Sequence, residues 1–281
     1  MSEEKASAAS LPFDVYSKLP GLNATAIKAG KRSMLEMRQR VVGARQDDTP
    51  SMAWGRMVHA VVLEPAKVLS NLVVWEGGRK AGKEWTAFQE SNGMKEIVTV
   101  EQRDRLEDVA LAVQRNKTAN RLINETIHEL SVTWTDRMLG ECKCRPDGLS
   151  VNVGLIEVKT TSQIEPRRFF AQFFGMGYDL QCGWYFDGVT RLSLYPPDLP
   201  VHVIAIDSSP TVDVFVTRVP QDVVNAGMAQ ARLIAQAYRA CEAVKCWPGV
   251  DKGNDLVEFE VPGWAGGVEA VPTEEGTAGD L

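Results

Sequence analysis

Apolar residues along the chain change their period twice. From Asn23, an N-cap by residue type, Ile27, Met34, Leu35 and Met37 recur at helical spacing. Ser51 opens a second helical run through Met52, Trp54, Val58, Val61 and Val62 to Pro65, with His59 inside it. The Gly77-Gly78 pair interrupts the pattern. A basic stretch with Trp85 and Phe88 follows, and Thr99 then caps a long amphipathic helix carrying Leu106, Val109, Ala110, Val113 and Leu122. The first half of the chain therefore reads as helical.

The period then falls to two. Ser131 to Thr135, Glu141 to Arg145 and Leu155 to Thr161 read as three strands separated by Leu139-Gly140 and Asn152-Val153-Gly154, links short enough for an antiparallel meander. Helix resumes after Pro166 and again from Asp179 to Phe186. A hairpin spans Val201 to Asp207 and Val212 to Val219, and a last helix runs from Pro220 to about Lys245. This order predicts an α/β fold: a central mixed sheet flanked by helices. Residues 1–20 and 263–281 are small, polar and acidic without periodicity, and read as loose arms around a folded body over 21–262.

Composition narrows the class. The 281 residues suffice for one enzyme-sized domain. No apolar run approaches the roughly 18 residues of a membrane span, and Met1-Ser2-Glu3-Glu4-Lys5 lacks the layout of a signal peptide, so a cytoplasmic protein without membrane contact is expected. Cys142, Cys144, Cys182, Cys241 and Cys246 are odd in number and lack CxxC spacing, which argues against a disulfide framework, a structural zinc or an iron-sulfur cluster; they read as reduced and mostly buried.

The net charge of −6 argues mildly against a surface coated for nucleic acid. Basic residues gather locally, at Lys28, Lys31, Arg32, Arg38 and Arg40, at Arg79, Lys80 and Lys83, and at Arg167 and Arg168. Each cluster alone is equally well a solvated helix face. An acidic exterior around a basic channel would reconcile the two.

The chemistry concentrates in Cys144-Arg145-Pro146-Asp147-Gly148 and in Ile156-Glu157-Val158-Lys159-Thr160-Thr161. In a strand Glu157 and Lys159 share one face, roughly 7 Å apart at Cβ, while Ile156, Val158 and Thr160 share the other. The kink at Pro146-Asp147-Gly148 can bring a second carboxylate beside Glu157. Two close carboxylates are costly unless a cation lies between them, and hard oxygen donors suit Mg²⁺, with Mn²⁺ able to substitute. Lys159 would then hold an attacking water and stabilise developing charge. A bare Glu-x-Lys is usually a surface ion pair; the upstream Pro-Asp and the apolar strand around Glu157 shift the reading to a site. Glu129, just before the first strand, reads as a further acid of the site or, sooner, as an ordinary solvated residue. His128 and His202 lack ligand spacing, and Trp75, Trp85 and Phe88 read as core sooner than as base-stacking residues.

These segments resemble the PD-(D/E)xK nuclease superfamily and, within it, phage recombination exonucleases of the RecE (exonuclease VIII) type. The resemblance rests on Trp54-Gly55-Arg56 leading to His59 and Leu63-Glu64-Pro65, on Cys142 to Asp147, on Glu157 to Thr161, and on Gln181 with Tyr185 four residues on. It implies a restriction-endonuclease-like core, metal ligands at His59, Asp147 and Glu157, a catalytic lysine at Lys159, and Gln181 and Tyr185 bordering the site. Close relatives often carry aspartate where this chain has Glu157. The resemblance further implies digestion of linear double-stranded DNA from its ends, 5′ to 3′, leaving 3′ single-stranded tails for a RecT-like annealing partner, by a homotetrameric ring. The competing expectations are a RecB- or Cas4-like endonuclease and an inactive DNA-end-binding protein.

Overall fold

The structure, a computed structural model, describes residues 6–43, 49–93, 95–254 and 256. The order is β1 (Ala6–Ala9), α1 (Phe13–Lys18), α2 (Ala24–Gly30), α3 (Met34–Val41), α4 (Pro50–Leu63), α5 (Pro65–Asn71), β2 (Val73–Trp75), α6 (Lys83–Asn92), β3 (Ile97–Thr99), α7 (Val100–Arg115) and α8 (Lys117–Asn124). There follow β4 (Ile127–His128), β5 (Ser131–Asp136), β6 (Gly140–Cys144), β7 (Gly148–Ser150), β8 (Gly154–Thr161), α9 (Pro166–Gly175), α10 (Tyr178–Thr190), β9 (Val201–Asp207), β10 (Val214–Val219) and α11 (Gln221–Val244).

A five-stranded mixed sheet, β10-β9-β8-β7-β4, forms the centre; β8 and β9 run parallel and the other neighbours antiparallel. Its two faces bury separate cores. On one, Ile156, Val158, Ile204 and Ile206 pack with Val58 and Val61 of α4, Leu106, Val109 and Val113 of α7 and Leu122 of α8. On the other, Leu155, Val203 and Ala205 pack with Ile27, Phe169, Trp184 and Tyr238, from α2, α9, α10 and α11. The alternation of β8 divides its residues between these cores, and a buried strand flanked by helices is how a parallel pair is normally covered.

Helix boundaries follow local chemistry. Thr99 and Gln102 form a reciprocal capping box at the start of α7. The helix expected through Leu122 breaks at Asn116, whose side chain accepts from the Ala119 amide and starts α8. Thr49, two residues ahead of the expected Ser51, caps α4, with Pro50 in the first turn.

The expected meander is divided. β5 pairs with β6 on one side and with β1 on the other in a separate three-stranded sheet, and the chain crosses at Arg145-Pro146-Asp147 into the short β7, which the sequence pattern missed. β8 then pairs with β7 for three residues only, Gly154 to Ile156. A three-residue strand is too short for period two to register.

Residues 6–20 are not the loose arm expected. β1 adds to β5, and Arg145 donates to the Leu11 carbonyl at 2.6 Å. The buried Lys143 ammonium donates to the carbonyls of Tyr16, Ser17 and Leu19 at the end of α1. These main-chain groups therefore have partners, which a loose arm would lack. The acidic tail expected at 263–281 lies outside the described residues. Among the described residues no helix is long and apolar enough to cross a membrane, and the five cysteines are free, with Cys142, Cys144 and Cys182 buried.

Candidate active site

The site forms where β7 leaves β8. Beyond Ile156 the β7 side of β8 has no further strand pairing among the described residues, and Asp147, the residue before β7, fills the gap. Its Oδ2 accepts the Val158 amide at 2.7 Å. The carboxylate thus sits on the strand edge, between the two faces of the sheet.

His59 reaches Asp147 from the α4 side. The helix approaches β8 closely at Gly55, where a Cβ would lie 3.5 Å from Thr160 Oγ1. One turn later His59 Nδ1 stands 3.4 Å from Asp147 Oδ1. His59 also lines an open cleft of about 620 Å³ with Phe13, Met52, Arg56, Glu129 and Arg145. Burial disfavours the imidazolium, but the charge and hydrogen bond of Asp147 outweigh it and raise the His59 pKa. Burial also works against the Asp147 carboxylate, yet His59, Lys159 and the Val158 amide together hold its pKa below the usual value.

Glu157 and Lys159 occupy the opposite face, as strand alternation requires. Glu157 Oε2 lies 2.6 Å from Lys159 Nζ, with the two side chains 1% and 10% exposed. The same oxygen accepts from Gln181 Nε2 at 2.7 Å. Oε1 of Glu157 is buried and has no hydrogen-bond partner. Burial first, against the pull of Lys159 and with the push of Asp147, raises the Glu157 pKa to about 7. Burial opposes the Lys159 ammonium, but the two carboxylates hold its pKa above the ordinary value.

α10 supplies the cover. Tyr178, Gln181 and Tyr185 recur at helical spacing on one side: the Tyr178 ring lies 5.0 Å from Lys159 Nζ, and Gln181 Nε2 also donates to Tyr185 Oη at 3.1 Å. Burial, and then the negative charge of Glu157, push the Tyr185 phenol pKa well up. The helix is held by a close crossing with α11. A Cβ on Gly183 would overlap the backbone at Met228, and one on Gly227 the backbone at Asp179, so only glycines admit this approach.

The structure thus places all six site residues named from the sequence around the middle of β8, in two groups: His59 with Asp147, and Glu157 with Lys159 and with Gln181, which also bonds Tyr185. The pattern missed Tyr178, the Val158 amide and the role of Lys28, which sequence reading placed only in a basic cluster. Lys28 Nζ donates to Gln181 Oε1 at 2.9 Å and lies 5.4 Å from the Tyr178 ring. Burial and then the charge of Lys159 push the Lys28 pKa down to about 8. Tyr178 was within reach of sequence reasoning, being one turn before Gln181. Lys28 was not, for 153 positions separate it from its partner.

Glu129 and His128 line the cleft beside His59, but their side chains are engaged elsewhere. Glu129 pairs with Arg145 at 3.0 Å and is half exposed; His128 Nε2 bonds the Ile123 carbonyl. Trp75 packs on Trp85 and Phe88 in a small aromatic group of their own.

Among the described residues no three His, Cys, Asp or Glu side chains close around one point as a ready-made metal cage. The donors stand instead in two groups, His59 with Asp147 and Glu157 with Lys159 and Gln181. Their chemistry fits a hard divalent cation nonetheless: two carboxylates and an imidazole, with one buried carboxylate oxygen lacking any partner.

A mixed sheet whose parallel pair carries Asp147 on its edge and Glu-x-Lys on its face is the core of the PD-(D/E)xK class. The family described as a PDDEXK-like domain of unknown function (DUF3799) matches residues 25–255, and the chain belongs to it. A solved structure from Eubacterium rectale, described as a "Putative exonuclease", aligns with a TM-score of 0.60 over 92% of this chain and 100% of that one, at 11% sequence identity. At that identity the likeness is one of fold. No curated protein matches the chain by sequence.

Proposed function

We propose that the protein is a divalent-metal-dependent deoxyribonuclease that degrades linear double-stranded DNA from its ends, an exonuclease of the RecE type. The observation that carries this reading is the partnerless Oε1 of Glu157, buried beside the charged Lys159 and within the electrostatic reach of Asp147. A buried carboxylate oxygen without a hydrogen bond is costly, and a cation relieves the cost. The end-directed activity is supported by the segment-by-segment resemblance to RecE-type enzymes and by the description of the Eubacterium rectale relative.

His59, Asp147 and Glu157 would hold Mg²⁺, or Mn²⁺ in its place. When bound, such an ion polarises the scissile phosphate and eases ionisation of a water. Asp147 is kept ionised by His59 and by the Val158 amide. Glu157 releases its proton near neutrality, and Gln181 holds its Oε2 in place. The Lys159 ammonium remains protonated and faces the negative charge that grows on the phosphoryl oxygens. The 5′ to 3′ direction, the 3′ tails, the annealing partner, the tetrameric ring and the cytoplasmic location belong to the same proposal. A ring would let an acidic chain keep DNA by enclosure.

Linear duplexes labelled at either end and covalently closed circles, incubated with Mg²⁺ or with EDTA, test it. The expected result is early release of the 5′ label as mononucleotide, intact circles, and no cleavage in EDTA. Cut circles would assign a RecB- or Cas4-like endonuclease instead, and binding of ends without product would leave an end-binding protein.

A further inference from the structure

We propose that Lys28 is a positioning residue of the site: its ammonium fixes which way round the Gln181 amide sits, so that the amide N–H is always presented to Glu157. The argument is one of hydrogen-bond polarity. An ammonium carries only donors, and an ionised carboxylate only acceptors. Lys28 Nζ stands 2.9 Å from one end of the Gln181 amide and Glu157 Oε2 stands 2.7 Å from the other. Only one orientation satisfies both, with Oε1 toward Lys28 and Nε2 toward Glu157. The second amide hydrogen goes to Tyr185 Oη at 3.1 Å.

Without Lys28, one of the two constraints that set this orientation is lost, and the Glu157 carboxylate alone favours the N–H. A rotated amide would set its oxygen against the buried Glu157 carboxylate and leave Lys159 as the donor remaining to Oε2. With Lys28 in place, Glu157 Oε2 takes two donors, from Lys159 and Gln181, while Oε1 stays unengaged. Lys28 thereby acts on Glu157 through another side chain, reaching over from α2 without touching the carboxylate.

The inference serves the nuclease reading, but its test does not depend on cleavage. The full-length chain is prepared as wild type, Lys28→Met, Lys28→Arg and Gln181→Leu, and the Gln181 side-chain amide is assigned by ¹⁵N NMR as the resonance missing from Gln181→Leu. Amide exchange with water should accelerate about ten-fold or more in Lys28→Met, as expected when a charge-assisted hydrogen bond is lost. Lys28→Arg, which keeps the donors, should restore most of the protection. Unchanged exchange in Lys28→Met overturns the proposal. If that variant does not fold, Lys28→Ala, a better helix former on the same helix, carries the comparison. Where the wild type cuts DNA, kcat should fall in Lys28→Met with KM for DNA little changed, and the fall should vanish in a Gln181→Leu background. A rise in KM alone would make Lys28 a DNA contact and sink the positioning role. A wild type that cuts nothing refutes the nuclease reading and leaves the NMR result to decide on Lys28.

Discussion

Asp147 accepts the main-chain N–H of Val158 at 2.7 Å, in the place where β7 would have continued its ladder along β8. One carboxylate thus does two things: it completes the edge of the central sheet and it faces His59 at 3.4 Å. Structural and chemical roles can be separated by choosing the substitution.

Asp147→Asn keeps an oxygen for the Val158 amide and loses the charge, whereas Asp147→Ala leaves that part-buried amide unpaired. Cleavage should be abolished in both, as in Lys159→Ala. Thermal melts should place Asp147→Ala about 1–3 kcal/mol below Asp147→Asn. Equal stability of the two would refute the edge role.

Glu157 gives the metal-free protein a definite dependence on pH. Its folded pKa, about 7, lies above the ordinary 4.5, so the folded state holds the extra proton in between. Stability from this group is therefore fully present below about 4.5 and is lost as pH rises through about 7. His59, also raised, acts in the same direction. Asp147, lowered, acts oppositely, and its contribution disappears only in acid, below its ordinary 3.8. In EDTA the melting temperature should decline between pH 5 and 8, by about 2–4 °C for each kcal/mol of linkage. Glu157→Gln should flatten most of that slope. DNA cleavage should rise over the same range as the carboxylate ionises.

The α10–α11 crossing positions Gln181 and Tyr178, so Gly183→Ala should act on the site from a distance. Its methyl would meet the backbone at Met228, and overpacking of this kind costs about 1–3 kcal/mol. Gly175→Ala, whose methyl would meet nothing, is the control and should leave both stability and cleavage near the wild-type values. Equal melting temperatures for the two variants would show that the helices can separate without cost.

Lys143 anchors the N-terminal segment. Removing its ammonium in Lys143→Met leaves three carbonyls at the end of α1 without that donor. Limited proteolysis should then cut within residues 6–20 at least about ten-fold faster than in the wild type, the effect of losing more than about 1.4 kcal/mol of local stability. Unchanged protection would mean that the β1–β5 ladder and the Arg145 bond to the Leu11 carbonyl hold the segment without Lys143.

What the amino-acid sequence determined by itself was local. The Thr99–Gln102 capping box, the helical run through His59, and the alternation that sets Glu157 and Lys159 on one face while Val158 faces the other core all arise within a few residues, where spacing and side-chain type suffice. Resemblance in separated segments extended this to six site residues and to the class of fold. The tertiary structure decided the rest. It divided the expected meander between two sheets, paired β8 in parallel with β9, ended β7 after three residues so that Asp147 could take the Val158 amide, and ordered residues 6–20 through Lys143. It also brought Lys28 to Gln181 across 153 positions of chain. Such contacts depend on strand register and on how closely α10 crosses α11. Neither leaves a periodic trace in the sequence, because each is set by partners far along the chain.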